Sequence, residues 1–231
     1  MASVTNGGNG RKLAAYVLPM VVFLLWLGPI PMLEKLGGDS FWLQAPEHWV
    51  YPLQTICCAG LLLWFWREYE FHRVARVLFT IAVAAFVFVL WISPQEYFGS
   101  SARTDGFNPE VFAAGSSAYW ASLAFRFLRL VIIVPLVEEV FWRGFLLRYF
   151  INEKFYSVPF GQFSWLSFGI VTVGFTFAHS SADWLAAAAT GALYNFVAYY
   201  TKSLSSCVLA HAVTNLLLGI WIMQTKQWGF W

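Results

Sequence analysis

Two adjacent carboxylates and an arginine, Glu138, Glu139 and Arg143, stand in an otherwise apolar stretch, Pro135-Leu-Val-Glu138-Glu139-Val-Phe-Trp-Arg143-Gly144. From Leu130 to Phe150 the only other charge is Arg148. An ionised group at membrane depth is costly unless it is paired or faces protein or water. On a helix, residues four apart share a face, while neighbours point about 100° apart. Glu139 and Arg143 can therefore pair within one helix, in the favourable order of acid before base. Glu138 is left without a local partner. We read Glu139 with Arg143 as supporting structure and Glu138 as the chemical group, a general base. The bland alternative is a charge cluster that locks helices together.

The four histidines divide into two kinds. His48 and His72 fall in predicted loops and suggest nothing. His179 ends an apolar run as Phe175-Thr-Phe-Ala-His179, with Phe175 one turn earlier on the same face. His211 lies inside the last run as His211-Ala-Val-Thr-Asn215, again with a polar residue one turn on. Two histidines, an asparagine and a carboxylate pair on separate spans each cost energy in lipid, so they are expected to converge on one wet cavity. The chemistry this suggests is hydrolysis. Glu138 with a histidine polarises a water and later protonates a leaving amine. His211 and Asn215 donate to a developing oxyanion. No serine, threonine or cysteine has the context of a nucleophile. One carboxylate and two histidines also make a legitimate zinc set, though the H-E-x-x-H spacing is absent. No metal or other cofactor is expected, and zinc is the rival.

The elements that must position these groups are membrane spans. Of 231 residues, 59% are hydrophobic and 11% charged, against about 25% charged in soluble domains. The expected fold is all-α, a polytopic transmembrane bundle of about seven to eight spans. The spans are 13–33, 50–66, 74–93, 118–150, 160–179, 184–200 and 203–223. The first follows Arg11-Lys12 and is read as an uncleaved span rather than a signal peptide. One domain is expected over 13–223, between a flexible tail at 1–12 and a C-terminal tail at 224–231. The run 118–150 would reach roughly 50 Å as one helix, against about 30 Å of hydrocarbon. Pro135 is its natural break point. A polar connection at 95–117 is expected to carry an interfacial helix near Pro109–Ala114. Arg126 and Arg129, three apart, are expected to snorkel to the interface, with a lipid phosphate or substrate carboxylate as the alternative role. The three cysteines are read as buried apolar thiols. A net charge of +2 points away from nucleic acid.

The three motifs resemble those of the CPBP family, which includes type II CAAX prenyl endopeptidases and bacteriocin-processing or Abi proteins. That family carries EExxxR, FxxxH and HxxxN on separate transmembrane helices, here Glu138 to Arg143, Phe175 to His179 and His211 to Asn215. The resemblance covers residues 128–218. Within the family, the chain looks like the bacterial CAAX-protease-related proteins associated with exosortase systems. It implies an intramembrane glutamic protease in which Glu138 activates water, His179 is its partner and His211 with Asn215 forms the oxyanion site. Glu139, Arg143 and Phe175 would support them. It further implies a peptide or protein substrate in or at the bilayer, and residence in a bacterial cytoplasmic membrane. A non-enzymatic binding, immunity or scaffold protein of the same fold is the alternative, as is a zinc-dependent membrane protease.

Overall fold

The computed structural model describes residues 6–38 and 40–231. Among them there is helix and turn but no strand. The helices are α1 (Asn6–Leu27), α2 (Ile30–Leu36), α3 (Glu47–Trp64), α4 (Val77–Tyr97), α5 (Ser117–Tyr149), α6 (Trp165–Phe177), α7 (Trp184–Thr201) and α8 (Leu204–Thr225). One further α-helical turn lies at Phe41–Gln44, and several single 3₁₀ turns join the helices.

Each of the seven expected spans corresponds to a helix. Four runs are long and apolar enough to cross a membrane: Asn9–Leu36, Val77–Tyr97, Ser117–Tyr149 and Leu204–Thr225. Helices α3 and α7 carry more polar residues, among them Gln54, Thr55, Thr190 and Asn195, and α6 has only 13 residues. Large apolar side chains such as Leu25, Leu63, Leu78 and Leu185 stand exposed. In water such a surface would be unfavourable; hydrocarbon is the solvent that suits it.

Several boundaries differ from expectation. The tail expected over 1–12 is helical from Asn6, and Met1–Thr5 lie outside the described residues. The interfacial helix near Pro109–Ala114 is a single 3₁₀ turn, Pro109–Val111, capped by Asn108, whose side chain accepts from the Glu110 amide at 2.8 Å. Pro135 does not divide α5. The helix instead widens to π-helix over Leu128–Ile133 and again over Val140–Leu146. A proline ring strikes the carbonyl four residues earlier, here Val131, and the wider turn containing that residue makes room for it. Cys57 is exposed, whereas Cys58 and Cys207 are buried as expected. His48 is not in a loop but in the first turn of α3, where it is buried. Arg126 and Arg129 do not snorkel; both are buried.

Where one domain was expected over 13–223, the residues group into two compact units. The first takes the described residues up to Tyr69, with Arg103–Val137 and Lys226–Trp231. In it α1 packs on α3, and Ala15, Tyr16, Met20, Val50, Cys58 and Leu62 of these two helices are buried. The Tyr69 hydroxyl donates to the Ala15 carbonyl at 3.0 Å. The second unit takes Glu70–Ala102 and Glu138–Thr225. Its core centres on Ala84, Val87, Tyr194 and Ala210, where α4, α7 and α8 meet. The division falls between Val137 and Glu138, so every motif residue belongs to the second unit.

Candidate active site

The second unit places the motif residues on three helices, and a fourth helix supplies partners. Glu139 is fully buried near the middle of α5. Its Oε1 accepts from Arg143 Nη1 at 3.0 Å, the expected pair one turn apart. The same oxygen stands 2.9 Å from His211 Nδ1, on α8. With the carboxylate ionised, Nδ1 carries the proton and donates, which directs Nε2 of the ring away from Glu139. Glu139 thus ties α5 to α8, a link that helical spacing alone does not reveal.

Arg143 is likewise fully buried. Its three nitrogens address three acceptors: Nη1 the Glu139 carboxylate, Nε the Asn195 Oδ1 at 3.1 Å, and Nη2 the Gly191 carbonyl at 3.2 Å. The guanidinium lies 4.8 Å from the centre of the Phe175 ring and 5.4 Å from that of Tyr194. A planar fork with fixed donors suits such a multi-helix junction better than a lysine ammonium would. Asn195 passes the connection on, its Nδ2 donating to Thr172 Oγ1 at 3.1 Å. Arg143 and Asn195 together therefore join α5, α6 and α7.

His179 follows the last turn of α6. Its Nδ1 is 2.8 Å from the Phe175 carbonyl, which can only accept. The proton is therefore on Nδ1, and Nε2 presents its lone pair. The Phe175 and Trp91 rings flank the imidazole at 4.7 and 5.7 Å. Trp91 is held in turn by its indole N–H, which donates to Thr190 Oγ1 at 2.9 Å. This places a half-buried, oriented imidazole with an accepting nitrogen at a helix end.

Glu138 is half-buried. Among the described residues no hydrogen bond or ion pair engages its carboxylate. Both Glu138 and Glu139 lie within electrostatic reach of the Tyr194 phenol. That ring packs on His211 at 5.4 Å, and its hydroxyl donates to Thr214 Oγ1 at 2.8 Å. Asn215 is half-buried on α8, one turn beyond His211. The structure thus joins Glu139, Arg143, His211 and Phe175 directly, and leaves Glu138 unclaimed by either neighbour.

Sequence reasoning missed the α7 contribution of Gly191, Tyr194 and Asn195. The signal was present in Asn195, an amide inside an apolar run, which must find hydrogen-bond partners there. Gly191 is small for a reason: a Cβ there would stand 3.3 Å from Phe175 Cδ1 and 3.5 Å from the Thr172 Cα. Among the described residues no three His, Cys, Asp or Glu side chains lie close enough to hold a metal ion.

Residues 120–217 match the family model of Rce1-like type II CAAX prenyl endopeptidases. The match is consistent with the CPBP family. The matched segment contains all three motifs and the whole of α7, and this likeness indicates a membrane protease of the CAAX kind. The hydrophobic helices agree with an integral membrane protein. No curated protein and no solved structure matches the chain significantly.

Proposed function

We propose that the chain is an intramembrane glutamic-type endopeptidase that hydrolyses a peptide bond in a membrane-associated or C-terminally processed protein. The observation that carries this reading is the contrast between two neighbouring carboxylates. Glu139 is consumed by Arg143 and His211, while Glu138 is half-buried and uncommitted. Glu138 takes a proton from water as the water oxygen attacks the scissile carbonyl carbon. His211, held by the Glu139 carboxylate, can carry a second proton and donate Nε2–H to the oxyanion, with the Asn215 amide beside it on the same face. The proton passes to the leaving amine as the C–N bond breaks, with His179 Nε2 as the partner that accepts and returns it. The chemistry needs no resident cofactor, and zinc is the competing assignment. The protein would work in a bacterial cytoplasmic membrane on a peptide or protein substrate within the bilayer or at its surface, with no nucleic-acid partner.

The decisive experiment is a cleavage screen on membrane-extracted protein, with Glu138→Gln used to trap the substrate. Cleavage by the wild type and none by the folded variant supports the assignment. Normal cleavage by Glu138→Gln removes Glu138 from the reaction. Inhibition by chelators that added zinc reverses would transfer the reading to the metal alternative.

A further inference from the structure

Two buried arginines of the first unit have no part in this chemistry. Arg126 is 2% exposed and Arg129 is 6% exposed, both on α5. Their guanidinium carbons lie 5.0 and 4.3 Å from the centre of the same ring, Tyr51 of α3. Arg126 also faces Phe107 at 4.8 Å and Trp231 at 5.5 Å. Ring faces attract the charge but do not replace acceptors for the N–H groups.

The two arginines differ in their hydrogen bonding. Arg129 Nε donates to Gln54 Oε1 at 2.7 Å, and Gln54 is anchored by its amide on the Phe23 carbonyl at 2.6 Å. Arg129 is thus built into the α1–α3 packing. Arg126 Nε and Nη1 are buried with no hydrogen-bond partner among the described residues. Glu47, which is partly buried at the start of α3, acts on Arg126 only through space. Arg126, a buried cation with two unclaimed donors beside a second buried cation, calls for an anion.

Access to Arg126 is set by the segment Lys226–Trp231. It lies over the loop at 103–107, where the Gly229 amide donates to the Arg103 carbonyl at 3.0 Å and the Arg103 amide to Gln227 Oε1 at 3.3 Å. Lys226 pairs with Glu110 at 2.8 Å on the exposed side. A Cβ at Gly106 would overlap the Trp228 carbonyl, so glycine is what lets the segment seat this closely. Its last residue, Trp231, closes over Arg126. A short strap held by a few polar contacts belongs to the low-stability end of a fold and can open without unfolding the helices.

We propose that Arg126, with the charge of Arg129 beside it, forms a binding site for the phosphate of an anionic membrane lipid, covered by the strap Lys226–Trp231. Paired N–H groups of a guanidinium match two oxygens of a phosphate, and basic pockets between spanning helices take anionic headgroups. Trp42 and Trp120 of the same unit stand 58% and 59% exposed, as tryptophans do at the headgroup level of a bilayer. Phosphate is favoured over a peptide carboxylate because headgroup phosphates are concentrated at that level.

The experiment is native mass spectrometry of the full chain released from nanodiscs of mixed phosphatidylglycerol and phosphatidylcholine. The wild type is expected to retain one phosphatidylglycerol in preference to phosphatidylcholine. Arg126→Met should reduce that retention by roughly tenfold or more, and Arg126→Lys by less. Trp231→Ala should keep the preference while exchanging the lipid severalfold faster. Equal retention of both lipids by the wild type overturns the site whether or not Arg126→Met folds. Thermal stabilisation by inorganic phosphate without lipid retention overturns the lipid source. Displacement of the lipid by a peptide with a free C-terminal carboxylate, abolished in Arg126→Lys, would assign the arginines to substrate instead.

Discussion

Glu139 Oε1 accepts from Arg143 Nη1 at 3.0 Å and stands 2.9 Å from His211 Nδ1, so one buried oxygen serves two motifs on two helices. Removing one partner of a buried charge pair costs about 3–5 kcal/mol, because the other charge is left uncompensated. Glu139→Gln should therefore lower the denaturation midpoint markedly and also reduce turnover, since His211 loses the group that fixes its tautomer. Thermal unfolding in detergent and single-turnover cleavage would report the two effects separately. An unchanged midpoint would mean that the pair does not support the fold.

Glu138→Gln should do the reverse. Nothing among the described residues hydrogen-bonds this carboxylate, so the amide is expected to change stability by less than about 0.5 kcal/mol. Loss of a general base should slow cleavage by about 10²–10⁴-fold. The paired measurement matters: activity lost together with stability would point to a structural carboxylate.

His179 is oriented by the Phe175 carbonyl at 2.8 Å. Substitution of His179 by Ala is expected to cut the maximal rate by about 10²-fold or more with little effect on substrate affinity. If substrate affinity falls while the maximal rate holds, His179 binds substrate rather than moving a proton.

Gly191→Ala tests the close approach of α7 to α6. The added methyl would sit 3.3 Å from Phe175 Cδ1. Overpacking costs about 1–3 kcal/mol where the ring cannot give way, against about 1 kcal/mol gained by replacing a helical glycine, and the ring it pushes belongs to the residue that orients His179. A destabilised variant whose activity falls further than its stability explains would support that coupling. Gly169→Ala on α6 is the control, since a Cβ there meets nothing within 4 Å.

His48 gives the first unit a pH dependence. It sits at the start of α3 beside Ser122, Glu47 and Arg126, and its ring lies tilted against Phe107 at 4.5 Å. Burial first, then the Arg126 charge, pushes its pKa down to about 4. The unfolded chain therefore binds the proton more readily, and stability falls as pH drops from the ordinary histidine range near 6.5 towards 4. The linked loss is about 3 kcal/mol at most. Unfolding midpoints measured across that window should decline for the wild type and decline less for His48→Phe.

Much of this protein was legible in order along the chain. Each expected span is a helix because apolar runs bounded by charge or proline must satisfy their backbone internally in lipid. The Glu139–Arg143 pair followed from helical spacing. The partners that spacing cannot reach were not legible. Asn195 is 52 residues from Arg143 in the chain and His211 is 72 from Glu139, and only packing sets those distances. Nor could the strength of Pro135 as a breaker be judged in advance, because the π-helical turn before it depends on which side chains the neighbouring helices accept.

Arg126 and Arg129 show the same division. Their three-residue spacing near one end of a span favoured snorkelling, with anion binding as the alternative, since a long side chain reaches either. Burial decided against snorkelling, through Tyr51, Phe107 and Trp231 closing around the guanidinium groups from three separate parts of the chain. The sequence by itself determined which residues can ionise, accept or donate, because that is a property of side-chain type and local spacing. Only the tertiary structure decided that the Glu139 carboxylate also meets His211 while no described residue hydrogen-bonds Glu138, because that depends on what a distant helix brings to each one.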